Sequence, residues 1–165
     1  MPPTPAANTF AQSGLDRQDV RILALLQEDA SRSVAEVAEA VNLSQNACWR
    51  RIKRLEEDGF VASRVALLDP RKLGVGVVVF VAVRAAEHTE AWLDQFAAAV
   101  ERIPEVMEFH RMSGDIDYLL KLRVADIADY DAVYKRLIRA ARLTDVSSMF
   151  VMETLKSTTA IPLPG

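Results

Sequence analysis

A chain of 165 residues holds one compact domain or two small ones, and 50% hydrophobic with 26% charged residues is ordinary globular composition, which excludes wholesale disorder. The single cysteine, Cys48, excludes an intramolecular disulfide framework and a CxxC metal site. A net charge of −3 excludes a surface coated in basic patches, so any contact with nucleic acid must come from a local cluster. The longest apolar run, Val77 to Val83, is far short of the ~18 residues that cross a bilayer. The start MPPTPAANTF carries neither a basic nor an apolar targeting segment, so a cytoplasmic protein with no membrane partner is expected.

Residues 1–14 read as a flexible tail. From Leu15, the residues Ile22, Leu23, Leu26 and Ala30 continue an apolar stripe at helical spacing, with Asp16 and Asp19 where a first turn favours acids. Ser33-Val34-Ala35-Glu36 has the capping-box pattern, and Val34, Val37, Ala38 and Val41 define a second, short helix that Asn42 and Leu43 end. Ser44 caps a third helix that runs to about Asp58, stops at Gly59 and turns Cys48, Ile52 and Leu55 inward. Two short helices joined this tightly, with another packed before them, are what a helix-turn-helix requires.

On the outward side of the third helix, Asn46, Arg50, Lys53 and Arg54 share one sector, flanked by Gln45 and Arg51, while Glu56, Glu57 and Asp58 confine the positive charge to its first part. Charge runs of this kind are usually solvated helix faces, and it is the order of the three helices that favours double-stranded DNA as the partner. The expected DNA-contacting set is Arg32, Ser44, Gln45, Asn46, Trp49, Arg50, Arg51, Lys53 and Arg54. Trp49 borders the inner face and reads as a packing residue rather than a base-stacking group. Cys48, facing inward, reads as a small hydrophobe.

Phe60 to Leu68 is β-biased and ends at Asp69-Pro70, which suggests a linker strand. The pattern beyond it reads as a strand over Val75 to Arg84, a helix over Glu90 to Arg102 and a strand over Val106 to Met112. A strand over Asp117 to Val124, a helix over Asp126 to Ala141 and a strand over Val146 to Leu155 follow. This βαββαβ order describes a ferredoxin-like α+β fold, an antiparallel sheet with two helices on one face. The other face needs a cover, and Val75, Val77, Val79 and Val81 beside Met149 and Val151 favour a homodimer with sheets packed together. Ser113-Gly114-Asp115 between strands is, on its own, a hairpin turn. No GxSxG, HExxH or Walker loop is present, and Gly74-Val75-Gly76 precedes a strand where a dinucleotide fingerprint would precede a helix. His88 falls in a loop as a solvated residue, and His110 lies on a strand close to the hairpin.

The chain resembles the Lrp/AsnC family of regulators over Leu15 to Leu155. The likeness rests on Leu15-Asp16, Asn42-Leu43-Ser44, CWRRIKRLEEDGFV from Cys48 to Val61, ALLDP from Ala66 to Pro70, and SGDIDYLLKLRV from Ser113 to Val124. The resemblance implies a winged-type helix-turn-helix followed by a βαββαβ domain of the RAM type. It divides the chain into a tail over 1–14, a DNA-binding domain over 15–60, a linker strand over 61–74, an effector-binding and oligomerising domain over 75–156, and a C-terminal tail over 157–165. It further implies an amino-acid-responsive transcriptional regulator, not an enzyme, whose dimers assemble to tetramers or octamers and bind the effector between dimers, so that assembly and DNA occupancy change together. The implied effector residues are Met112, Ser113, Gly114, Asp115, Asp117 and Tyr118 of the hairpin, and Met149, Phe150 and Val151 of the last strand. VALLDP, MSGDIDYLL and YKRL resemble the cysteine-responsive branch, which makes cysteine the first expected effector and leucine or another apolar amino acid the second. No other cofactor and no metal is expected. Ala47 departs from the family, where a proline often precedes the cysteine. Sirohaem decarboxylases resemble the same two-domain fold, so an enzyme acting on a tetrapyrrole is the alternative, and a ligand-binding module that has lost DNA binding is a third reading.

Overall fold

The computed structural model describes residues 14–164, so the tail expected over 1–14 lies outside the described residues but for Gly14. The chain forms two units, one made of the residues up to Ala66 with those from Lys156 onward, the other of Leu67–Leu155.

The first unit contains α1 (Arg17–Glu28), α2 (Val34–Ala40) and α3 (Gln45–Glu57). Each begins on a residue that satisfies otherwise unpaired amides. Asp16 accepts from the amides of Gln18 and Asp19, Ser33 from that of Glu36, and Ser44 from that of Ala47. Asn42, at φ 56, turns the chain out of α2, and Gly59, at φ 78, ends α3 with the Phe60 amide donating back to the Leu55 carbonyl. Ile22, Leu23, Leu26, Val37, Ala38, Val41, Cys48, Ile52 and Leu55 form the core. Full burial of a Leu or Ile contributes about 1.5–3 kcal/mol, so this patterning alone assembles the three helices. No strand accompanies them among the described residues, so the expected wing is absent: neither flank of α3 offers a second segment to pair with.

One charge lies inside this unit. Asp19 is fully buried. Its Oδ1 accepts from Arg51 Nη1 at 2.8 Å, and its Oδ2 accepts from the Asp16 amide at 3.0 Å and from Arg54 Nη2. Arg51 Nη1 also reaches Asp16 Oδ2 at 2.6 Å. Burial pushes the Asp16 carboxyl up, but the Asp19 amide and the Arg51 guanidinium outweigh it and hold Asp16 below its ordinary value. The hydrogen bonds to Asp16 and Asp19 push Arg51 further up.

The segment from Lys156 onward returns to this unit. The Gln27 carboxamide pairs with both backbone groups of Ile161, donating from Nε2 to the carbonyl at 3.2 Å and accepting from the amide at 3.1 Å. Leu163 packs on the edge of the helical core.

The second unit is a four-stranded antiparallel sheet in the order β2-β3-β1-β4, with β1 Val77–Ala85, β2 Val106–Arg111, β3 Tyr118–Val124 and β4 Leu143–Phe150. α4 (Glu90–Val100) and α5 (Ile127–Ala140), capped by Thr89 and Asp126, carry Trp92, Phe96, Val100, Tyr130, Val133 and Leu137 onto one face. That face is Val79, Val81, Val83, Leu120, Leu122 and Val124. Trp92 stacks on Phe96 and Tyr118 with ring centroids 5.0 and 5.6 Å apart.

Three expectations change. Val77, Val79 and Val81 belong to the helix-covered face, and the open face carries Val78 opposite Arg123, Phe80 between Lys121 and Met149, and Ala82 between Leu119 and Ser147. Alternation could not choose, because Val77 to Val83 is apolar at every position. The linker is not a strand: residues 61–74 join no sheet in the described chain, Val65, Leu67 and Leu68 are exposed, and Asp69 closes a turn by accepting from the Arg71 amide at 2.9 Å. The last strand begins at Leu143 and ends at Phe150 instead of spanning Val146 to Leu155, because a bulge at Arg84/Ala85 brings Leu143 into register and pairing with β1 stops at Val79.

Two outcomes test this packing. Leu163→Ala should lower the stability of the helical unit by about 1–2 kcal/mol, part of the 2–5 kcal/mol of a fully buried Leu→Ala change; an unchanged urea midpoint would remove the C-terminal segment from the core. The lowered folded value of Asp16 gives stability that is complete above its unfolded value of 3.8 and is lost as pH falls through the folded one. Acid should therefore loosen the helical unit below about pH 4, with Arg51→Gln reducing that dependence; the same acid profile in both proteins would contradict the ion pair.

Candidate functional site

α3 follows α2 after a turn through Val41 to Ser44, and its buried stripe of Cys48, Ile52 and Leu55 fixes which side faces solvent. Asn46, Arg50 and Lys53 stand on that outer side and are exposed. Arg50 has no acidic partner among the described residues, while Lys53 lies 3.8 Å from Glu56. Arg51 and Arg54 do not join them: both are turned toward the start of α1 by Asp16 and Asp19. The expected cationic sector thus divides by partner, Arg50 and Lys53 on the outer side and Arg51 and Arg54 held by the carboxylates of α1, with Arg54 still exposed. The sequence held a signal for this, because Asp19 interrupts the apolar stripe of Leu15, Ile22 and Leu26 at i, i+4, i+7 and i+11, where a charge needs a partner.

The other expected contacts are dispersed. Trp49 is 51% exposed and is not the packing residue the sequence suggested. Gln45 is exposed in the first turn of α3, and the Ser44 hydroxyl serves as its cap. Arg32 lies between α1 and α2, half-buried and 3.2 Å from Glu28. The Cys48 thiol is buried and burial pushes it up, so it is not a thiolate nucleophile.

In the second unit the β2–β3 hairpin is tied to the end of β1. The Met112 amide donates to the Asp117 carbonyl at 2.8 Å, closing a loop in which Gly114 takes φ 119, a conformation that excludes a side chain. Asp117 is held by β1 twice, its amide donating to the Val83 carbonyl at 3.0 Å and its Oδ2 accepting from the Ala85 amide at 2.8 Å. Arg84 Nε donates to the Asp115 carbonyl at 2.8 Å. Asp117 Oδ1 remains directed toward His88 Nδ1, 3.8 Å away. Beside it lies a hollow of about 150 Å³ lined by His88, Thr89, Glu90, Leu93, Arg111, Met112, Asp117 and Tyr118. That volume is below the ~300 Å³ of drug-sized sites, so it takes only a small ligand. The carboxylates of Asp117 and Glu90 and the guanidinium of Arg111 on its wall can pair with an ammonium and a carboxylate, and Leu93, Met112 and Tyr118 offer apolar contact.

Met112, Asp117 and Tyr118 are therefore together, with Ser113, Gly114 and Asp115 forming the turn itself. Met149, Phe150 and Val151 are not brought to this loop within one chain. Tyr118 aligns with Val83 and Phe150 with Val79, four residues or ~13 Å along the sheet. Met149 is on the open face, Phe150 packs edge-on against Tyr130 with centroids 5.1 Å apart, and the Val151 amide donates to Val78. Sequence reasoning missed Arg111 and Leu93, which reach the hollow from outside the loop, and read His88 as merely solvated. His110, expected near the effector, is on the open face with Glu108 3.1 Å away. Among the described residues no group of three or more metal-ligating side chains gathers, and no helix is long and apolar enough to cross a membrane.

Both units match known families. Residues 15–56 match the AsnC-type helix-turn-helix domain and residues 78–161 the Lrp/AsnC ligand binding domain. The chain is 56% identical to the glutamate uptake regulatory protein of Zymomonas mobilis over 91% of its length and 92% of the relative's. It is 47% identical to the DNA-binding transcriptional activator DecR of Escherichia coli over 90% of its length and 99% of the relative's. A transcriptional regulator of Neisseria meningitidis, solved as a complex with L-Met, superposes with a TM-score of 0.85 at 34% identity, covering 90% of this chain and 96% of that one. The chain belongs to the Lrp/AsnC family of transcriptional regulators.

Proposed function

We propose that this regulator reads duplex DNA through Asn46, Arg50 and Lys53 of α3, with Trp49 and Gln45 at the margins, and that a small amino acid at the β2–β3 hairpin modulates its occupancy. The observation that carries the first part is Arg50, an exposed guanidinium without a partner among the described residues, on the outer side of the second helix of a helix-turn-helix. Arg is the side chain best suited to a guanine edge, and Asn to an adenine. A cytoplasmic location is the reading that accompanies a role on DNA. The relatives' names as transcriptional regulators favour this function over chemistry on a tetrapyrrole.

The effector reading rests on Arg111 and Asp117 facing one hollow of about 150 Å³. An α-amino acid presents the complementary pair of charges, and the L-Met held by the Neisseria relative belongs to that class. Cysteine is the first amino acid to test for this chain and leucine the second. Assembly follows from the open sheet face, where Val78, Phe80, Ala82, Leu119 and Met149 form a stripe that a second copy would cover. Face-to-face dimers leave the hairpins free to meet further dimers, so tetramers or octamers are the expected higher states.

Fluorescence anisotropy on duplex DNA from upstream of the protein's own gene, with each of the twenty amino acids in turn, tests the whole reading: one amino acid should shift specific binding, and none doing so would leave the hairpin without an effector role. Arg50→Ala should cost about 1–3 kcal/mol per half-site and relax sequence preference there; equal weakening on every duplex would make Arg50 a backbone contact. Asp117→Asn should keep DNA binding and lose the amino-acid response, and a full response would exclude the carboxylate from the site. Sedimentation as a monomer at micromolar concentration would refute the paired sheets.

A further inference from the structure

Four cations lie on α3, and their partners sort them. Arg51 and Arg54 face the carboxylates of Asp16 and Asp19, two positive charges against two negative ones, in a cluster whose centre is the fully buried Asp19. Lys53 has Glu56 at 3.8 Å, and Glu56 in turn takes Arg64 at 2.9 Å. That leaves Arg50. A DNA phosphate is an anion of the same kind as a carboxylate, and Arg binds both through the same planar fork of donors. Asp19 accepts, from inside the protein, hydrogen bonds from both guanidiniums that a phosphate could otherwise engage.

We propose that Asp19, with Asp16 behind it, is a specificity-determining residue that acts as an internal substitute for DNA phosphate and withholds Arg51 and Arg54 from sequence-independent binding. The inference rests on the reading of α3 as the DNA-contacting helix. Non-specific affinity comes from neutralised phosphates, each contributing about 0.9 to the slope of log affinity against log salt. Two more free guanidiniums per chain, doubled in a dimer, would raise attraction to every duplex alike and leave base-edge contacts unchanged. Holding them on α1 lowers the background against which Asn46 and Arg50 discriminate. Asp19 is thus a positioning residue: it touches no DNA and acts through the direction of two arginines.

The test compares salt titrations on a specific duplex and on a random one of equal length. Arg51→Gln should leave the random-duplex slope at the parent value, because its charge is already neutralised, whereas Arg50→Gln should flatten it by about 0.9 per copy. Asp19→Asn, checked for folding by circular dichroism, should tighten random-duplex binding, steepen the slope by about 0.9 per released arginine and lower the ratio of specific to non-specific affinity. Asp19→Glu should restore the parent slope in part. A merely structural role for Asp19 would weaken both duplexes together and steepen neither slope. The proposal is overturned if Arg51→Gln flattens the slope as Arg50→Gln does, or if folded Asp19→Asn keeps the parent slope. Should Asp19→Asn not fold, the Arg51→Gln and Arg50→Gln comparison decides. Absence of salt-dependent duplex binding by the parent chain would instead overturn the DNA reading itself.

Discussion

The central position of β1 is the constraint on which the second unit depends. It is hydrogen-bonded on both edges, to β3 and β4, and its residues from Val77 to Val83 are apolar on both faces. Two helices of 11 and 14 residues can cover one face of four strands and no more. Val79, Val81 and Val83 therefore anchor the core, while Val78, Phe80 and Ala82 define the side that a second copy is proposed to cover. The same strand fixes the hairpin, since Val83 and Ala85 hold the backbone and the carboxylate of Asp117. Asp117 thus sits in a loop whose base is locked into the sheet, and the turn from Ser113 to Ile116 is tied to the same strand through Arg84 and the Asp115 carbonyl.

How much of this was legible follows from how local each signal is. Capping residues, helical stripes and the βαββαβ order act within a few residues, so Ser33 and Ser44 were readable as caps, while Asp16, read as a first-turn acid, Asp126, read as the first helical residue, and Thr89 prove to be caps as well. The face of β1 was not legible because period-2 reasoning needs polar residues on one side, and this strand has none before Arg84. The β-biased linker did not become a strand because such propensity is expressed only beside a partner strand. The pairing of Gln27 with Ile161 joins residues 134 positions apart and leaves no trace in either local pattern.

The hairpin divides in the same way. Its turn was readable from Gly114, yet the cationic side of the hollow was not, because Arg111 is the last residue of β2 and Leu93 lies on α4. Met149, Phe150 and Val151 show the converse. Adjacent in sequence, they separate on folding into an open-face residue, a helix-facing residue and one beyond the strand, so one label for all three cannot describe one physical role.

Asp19 raises the question of why a charge sits in an apolar stripe. A leucine there would continue the pattern of Leu15, Ile22 and Leu26 with no carboxylate to desolvate, and replacing buried ion pairs by apolar residues is often neutral or stabilising. Stability alone therefore does not account for the arrangement. The carboxylate does what a leucine could not: it fixes the direction of two guanidiniums on the helix whose outer side is proposed to meet DNA, and it balances their charge. In a chain of net charge −3, binding that rested on undirected cations would be weak, and adding free ones would favour every phosphate equally. On the proposed reading, holding Arg51 and Arg54 on carboxylates of α1 would let base edges, which differ with sequence, carry more of the contact than phosphates, which do not.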